Sequence, residues 1–233
     1  MMHHDNRTAL ITGASRGLGL ALARALASRG WTLIIDARGA DALTVARTEL
    51  AREATVTALL GSVADPAHRA ALASAAVGGL DVLVNNGGIL GPSPRPALLD
   101  YPLAALEEVY RVNAIAPLAL IQALRSSLKP GARVLNITSD AGLEAYEGWG
   151  GYGSSKAALD YISAVLAVEN PAMRVYSVDP GDMRTQMHQE AFPGEDIGDR
   201  PPAEESVPGL LRLIEGDLPS GRYVARNLEG TRR

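Results

Sequence analysis

Tyr152 and Lys156 stand four residues apart in Tyr152-Gly153-Ser154-Ser155-Lys156. On a helix this spacing puts both side chains on one face. Of the 22 Lys and Arg residues only Lys129 and Lys156 are lysines. A lysine here therefore suits a site that needs a compact ammonium rather than a planar guanidinium. A phenol titrates near 10 and is a poor acid–base group at neutral pH, and bringing it near 7 takes about 4 kcal/mol. A unit positive charge ~4 Å away, at an effective dielectric of ~20, is worth about that much. The bland alternative is a surface helix pair. Ser139 closes an apolar run thirteen residues before Tyr152.

A second cluster lies near the start, in Thr12-Gly13-Ala14-Ser15-Arg16-Gly17-Leu18-Gly19. Glycines permit a tight turn and close approach of backbone to a ligand. A helix beginning there presents free N–H groups and partial positive charge to a phosphate. The spacing is G-x-x-x-G-x-G rather than G-x-G-x-x-G. The same residues also fit G-x-S-x-G, a hydrolase nucleophile elbow centred on Ser15. That elbow tops a strand in mid-sheet, whereas one strand precedes this one. His68 falls on a predicted helix and His188 in a loose loop, so the hydrolase reading is set aside.

The elements that position these groups follow from patterning. β-Branched apolar runs over 8–12, 31–35, 56–60, 80–84, 133–138 and 174–178 read as strands. Ala/Leu/Arg-patterned segments over 18–29, 42–53, 66–77, 103–128 and 154–169 read as helices. Strands alternating with helices imply parallel crossovers, and continuous apolar strands imply burial on both faces. The expected fold is one α/β domain over 1–233, a Rossmann-like, doubly wound parallel sheet with helices on both faces. Asn85, Ser139, the glycine turn and Pro180-Gly181 then share the carboxyl edge, where ligands bind. Residues 182–202, rich in Pro, Gly and acids, are expected to form a substrate lid.

Composition removes other classes. The 233 residues carry a net charge of −4, against a nucleic-acid partner. There is no cysteine, hence no disulfide or thiolate chemistry. No metal site is expected, and His3-His4 reads as a solvated start or expression remnant. Apolar runs are far shorter than the ~20 residues of a membrane span, and the polar start lacks a signal-peptide core. A cytoplasmic protein with no membrane partner is the expectation.

These residues resemble the short-chain dehydrogenase/reductase family across nearly the whole chain. The resemblance rests on TGASRGLG at 12–19, NNGG at 85–88, Asn113, Ser139, YGSSK at 152–156 and PGDMRT at 180–185. It implies catalysis by Asn113, Ser139, Tyr152 and Lys156 on a small carbonyl or alcohol substrate. Tyr152 would be the general acid or base, and Ser139 would hold the substrate oxygen. Lys156 would bind the nicotinamide ribose and depress the Tyr152 pKa, and Asn113 would place a relay water. Gly13, Ser15, Arg16, Gly17, Leu18 and Gly19 would cradle the cofactor's phosphates. Asn85 would line the cofactor and Thr185 would hold its carboxamide. Val63, Gly87, Pro180, Gly181 and Met183 complete the expected cofactor set. Two positions depart from the family pattern. Gly87 replaces alanine, implying a more flexible loop, and Ser62 replaces an acid that often meets adenine.

The nicotinamide cofactor is read from 36–38. Asp36 suits the ribose hydroxyls of NAD(H). Arg38 and Arg16 suit the 2′-phosphate of NADP(H), and Asp36 and Arg38 point the same way along a strand and so can pair. The balance favours NADP(H), with NAD(H) the alternative. Leu143, Tyr146, Trp149, Met183, Met187 and Phe192 are candidates for an apolar substrate pocket. Apolar residues Leu118, Ile121, Leu124, Ile162 and Val165 imply a homodimer or homotetramer through the two long helices. A catalytically weak nucleotide sensor or scaffold is the rival reading, against which the intact catalytic set argues.

Overall fold

The computed structural model describes residues 7–228; His3-His4 lies outside them. Seven strands form one parallel sheet in the order β3-β2-β1-β4-β5-β6-β7. They are β1 (Thr8–Ile11), β2 (Thr32–Ala37), β3 (Val56–Leu60), β4 (Leu80–Asn85), β5 (Leu128–Ile137), β6 (Arg174–Asp179) and β7 (Gly221–Val224). The helices are α1 (Gly17–Ala27), α2 (Ala40–Leu50), α3 (Pro66–Ala75), α4 (Leu103–Tyr110), α5 (Ala116–Ala123), α6 (Gly150–Glu169), α7 (Gln186–Ala191) and α8 (Val207–Glu215). Alternation along the strands sends side chains to two separate cores. Ala9, Ile11, Leu33 and Ile35 pack with α1, α2 and α8. Leu10 and Ile34 pack with residues of α3 and α5 on the other face. This is the doubly wound Rossmann-like arrangement. The chain reverses its order of strand addition between β1 and β4, which opens the crevice expected at such a switch point.

Two elements differ from expectation. The helix predicted over 103–128 is broken by a π-helical turn at Arg111–Ile115 and stops at Ala123. Leu128 instead begins β5, pairing with Leu80 ahead of a register shift. Pro130-Gly131 hides this strand start, because both residues read as a turn. β7 and α8 lie beyond the last predicted strand. β7 is a four-residue edge strand, half-exposed and containing Gly221 and Arg222, so it carries little periodic signal. No described helix is long and apolar enough to cross a membrane.

Candidate active site

The glycine turn is shaped by close backbone approach. Gly13 has φ +66°, and a Cβ there would lie 2.9 Å from the Cα of Gly87. A Cβ on Gly19 would meet Gly13 O at 2.6 Å. The first turn of α1 has no acidic residue and no side-chain cap, leaving its N–H groups open to an anion. Thr12 Oγ1 accepts from Asn86 N at 3.0 Å and Gly87 N at 2.9 Å. Asn86 Nδ2 donates back to Thr12 O at 2.9 Å. Asn86 and Gly87 of the NNGG loop are therefore tied to Thr12, the residue after β1.

Two cavities open at the carboxyl edge. The larger, of about 1160 Å³, runs from Gly13, Ser15, Arg16, Gly17 and Leu18 past Asp36, Arg38, Ser62, Val63 and Gly87 to Tyr152 and Lys156. The smaller, of about 330 Å³, is lined by Ser139, Tyr146, Trp149, Tyr152, Met183, Met187 and Phe192 among others. Tyr152, Pro180, Met183 and Thr185 line both. The half-buried Tyr152 stands where the two meet, on the first turns of α6. Its ring packs edge-on to Trp149, with centroids 5.7 Å apart.

The sequence profile described as short chain dehydrogenase matches residues 7–196. The chain belongs to the short-chain dehydrogenase family. It is 33% identical over 220 residues to 1-deoxy-11-beta-hydroxypentalenate dehydrogenase of Streptomyces exfoliatus, covering 90% of this chain and 80% of the relative. It is 35% identical over 229 residues to the rhamnolipids biosynthesis 3-oxoacyl-[acyl-carrier-protein] reductase of Pseudomonas aeruginosa, covering 93% and 83%. Among solved structures, the alcohol dehydrogenase of Thermococcus sibiricus, complexed with 5-hydroxy-NADP, superposes with a TM-score of 0.86 at 27% identity. That match covers 98% of this chain and 100% of the other.

Several residues of this short-chain dehydrogenase take positions other than those expected. Asn85 does not line the cofactor-sized cavity. It is buried, and its Nδ2 donates to Asn136 Oδ1 at 2.8 Å. Asn136 Nδ2 donates to Ser163 Oγ at 2.7 Å, and Ser163 Oγ donates to Leu159 O at 2.7 Å. This buried ladder joins β4, β5 and α6. Asn86, its sequence neighbour, lines the larger cavity instead. Gly19 lies beneath the turn as a packing glycine, and Gly181 lines the smaller cavity rather than the larger.

Asn113 sits in the π-helical turn and lines neither cavity. Its amide accepts from Ile89 N and donates to Ile89 O, both at 2.9 Å, and also donates to Ser155 Oγ at 3.0 Å. It thus clamps the segment after NNGG to α6. Ser139 lines the smaller cavity, but its hydroxyl donates to Asp140 Oδ1 at 2.7 Å.

Lys156 is 5% exposed and donates from Nζ to Ile137 O at 2.8 Å. Burial pushes it down to about 8, while Asp160 pulls the other way. Tyr152 is pushed above its ordinary value by burial and then by the charges of Asp179 and Asp140. This corrects the expected depression. The expected Coulomb gain took a full ammonium and ignored both desolvation and the two carboxylates.

Asp36 and Arg38 do not pair. β2 ends at Ala37, so Arg38 leaves the strand and is exposed. Asp36 Oδ1 accepts from Gly13 N at 2.7 Å, and Oδ2 lies 2.9 Å from His68 Nε2. Since His68 is held here and His188 lines the smaller cavity against Phe192, neither histidine is paired with Ser15.

The smaller cavity is less apolar than expected. Leu143 points outward at 65% exposure, because the turn Asp140–Gly142 carries the chain out of the edge. Asp140, Asp179, Asp182 and His188 contribute to the lining instead. Arg95, unmarked in the sequence, stacks on Trp149 with its guanidinium carbon 4.1 Å from the ring centroid. Of the outward apolar residues expected on the long helices, Ile121 and Leu124 are buried in the chain's own core.

Proposed function

We propose that this short-chain dehydrogenase is an NADP(H)-dependent oxidoreductase interconverting a carbonyl compound and its alcohol, with Tyr152 as general acid and base. The observation that carries the reading is the meeting of two cavities at Tyr152, one of dinucleotide size with a glycine cradle and one of small-molecule size. Exposed Arg38, beside Asp36, suits a 2′-phosphate, as does exposed Arg16, whose guanidinium also donates to Gln186 Oε1 at 2.5 Å, and Asp36 is already taken up by Gly13 and His68. The likeness to a dehydrogenase solved with 5-hydroxy-NADP supports the same cofactor.

Bound nicotinamide supplies or accepts the hydride at its C4. In reduction, the Tyr152 O–H donates its proton to the carbonyl oxygen as hydride adds to the carbon. The products are an alcohol and a phenolate, which regains its proton from solvent. The upward shift makes the phenol a weaker acid, so its proton moves only as hydride addition makes the carbonyl oxygen strongly basic. Ser139, turning its hydroxyl from Asp140, holds the same oxygen, and the Lys156 ammonium holds the ribose.

A panel of ketones, aldehydes and alcohols run with NADPH, NADP+, NADH and NAD+, followed by nicotinamide absorbance, tests the reading. Turnover with NADPH and a carbonyl compound is expected. Tight NADPH binding with no turnover anywhere in the panel overturns it in favour of a nucleotide sensor.

A further inference from the structure

His68 is a buried histidine that hydride transfer at Tyr152 does not use. Its Nε2 lies 2.9 Å from Asp36 Oδ2, and the two side chains are 5% and 2% exposed. Its place is closely built. Asp65 caps α3 by accepting from Ala67 N at 2.9 Å, which sets His68 in the first turn. Gly61 leaves the room for the ring, since a Cβ there would lie 2.2 Å from His68 Nδ1. The other carboxylate oxygen of Asp36 is held by Gly13 N at 2.7 Å. Asp36 nevertheless lines the larger cavity, together with Arg38 and Arg16.

An acid at the end of β2 accepts hydrogen bonds from the adenosine ribose and repels a 2′-phosphate. Here each carboxylate oxygen already receives a hydrogen bond from the protein, which holds the group against Gly13 and His68 at the cavity wall. We infer that His68 is a positioning residue for cofactor choice: it pins the Asp36 carboxylate and so permits a 2′-phosphorylated dinucleotide beside Arg38. The inference rests on the NADP(H) reading above. Without the pin, Oδ2 is free to accept from a ribose hydroxyl, and its charge faces the phosphate.

The test is the ratio of the dissociation constants of NAD+ and NADP+, measured by calorimetry on the full chain. The ratio is insensitive to losses of active fraction that a merely structural role would cause. The wild type is expected to prefer NADP+. His68→Leu removes the donor, and Gly61→Ala displaces the ring while keeping every polar group. Each is expected to move the ratio toward NAD+ by about tenfold, while His68→Gln, which keeps an N–H donor, stays within about threefold of wild type. Where His68→Leu fails to fold, Gly61→Ala carries the test. A wild type that prefers NADP+ and a ratio unmoved in the folded variants overturn the role of His68 and leave the cofactor reading standing. A wild type that prefers NAD+ overturns both.

Discussion

The ammonium nitrogen of Lys156 lies 5.4 Å from the centre of the Tyr152 ring. Both side chains leave the same face of α6, as their spacing dictates. The lysine meets the sheet at Ile137 O, and the phenol stands at the junction of the cavities. The pair therefore joins the two ligand spaces.

Replacing Tyr152 by phenylalanine removes the proton donor and little else. Turnover is expected to fall at least ~100-fold, the scale of acid–base loss, with NADPH affinity and melting temperature close to wild type. Steady-state rates beside a binding titration check this. Near-normal turnover in Tyr152→Phe refutes the mechanism.

Lys156 loses its charge as pH rises through about 8. Tyr152 titrates above its ordinary value and so well above this window. A basic limb in kcat/KM near pH 8 is therefore expected, with activity lost on the alkaline side. Asp160 favours the ammonium. Asp160→Asn removes that support, so the limb should move to lower pH. A limb that stays in place in this variant belongs to another group.

Arg38→Asp replaces an exposed cation beside the larger cavity with an anion. Preference in kcat/KM is expected to shift from NADPH toward NADH, by loss of a phosphate partner and gain of repulsion. A wild type that already prefers NADH contradicts the assignment.

Residues 182–202 should behave as a closing lid. Arg184 N donates to Pro201 O at 2.8 Å, which draws the two ends of the segment together. Between them the chain sustains one short helix, α7, while Met183, Met187 and Phe192 face the smaller cavity. Hydrogen exchange across this segment is expected to slow when NADP(H) and a substrate analogue bind. If the Gly13–Gly19 turn gains protection and 182–202 does not, no lid closes.

Leu103, Ile115, Tyr161, Val165 and Val168 are exposed apolar residues on α4, α6 and the turn before α5. Exposed apolar side chains on these helices suit burial against a second copy of the chain. Sedimentation at micromolar concentration is expected to show a dimer or tetramer, and Tyr161→Glu with Val168→Glu to release monomer. A monomeric wild type refutes this.

The fold was legible where periodicity was strong and masked where it was not. Stretches such as 33–35 and 82–84 are unbroken apolar runs, and all of their residues are buried in the sheet. The start of β5 was hidden by Pro130-Gly131, and β7 by its half-exposed edge position. In the site, motif spacing located Tyr152, Lys156 and the glycine turn. It could not tell Asn85 from Asn86, because Asn85 ends β4 inside the sheet while Asn86 leaves it, and only packing selects which meets the cavity. His68 escaped for a related reason. A histidine on a helix carries no mark of its partner, and Asp36 lies 32 residues away in the chain.

The buried ladder of Asn85, Asn136 and Ser163 has an evolutionary consequence. Each member supplies the other half of a neighbour's hydrogen bond. Changing one alone strands a polar group out of water, at about 1–3 kcal/mol. An apolar replacement becomes tolerable when the partners change together. The three positions should therefore drift in concert among descendants of this sequence, a genetic latch holding β4, β5 and the tyrosine-bearing helix in one alignment while the surrounding surface diverges.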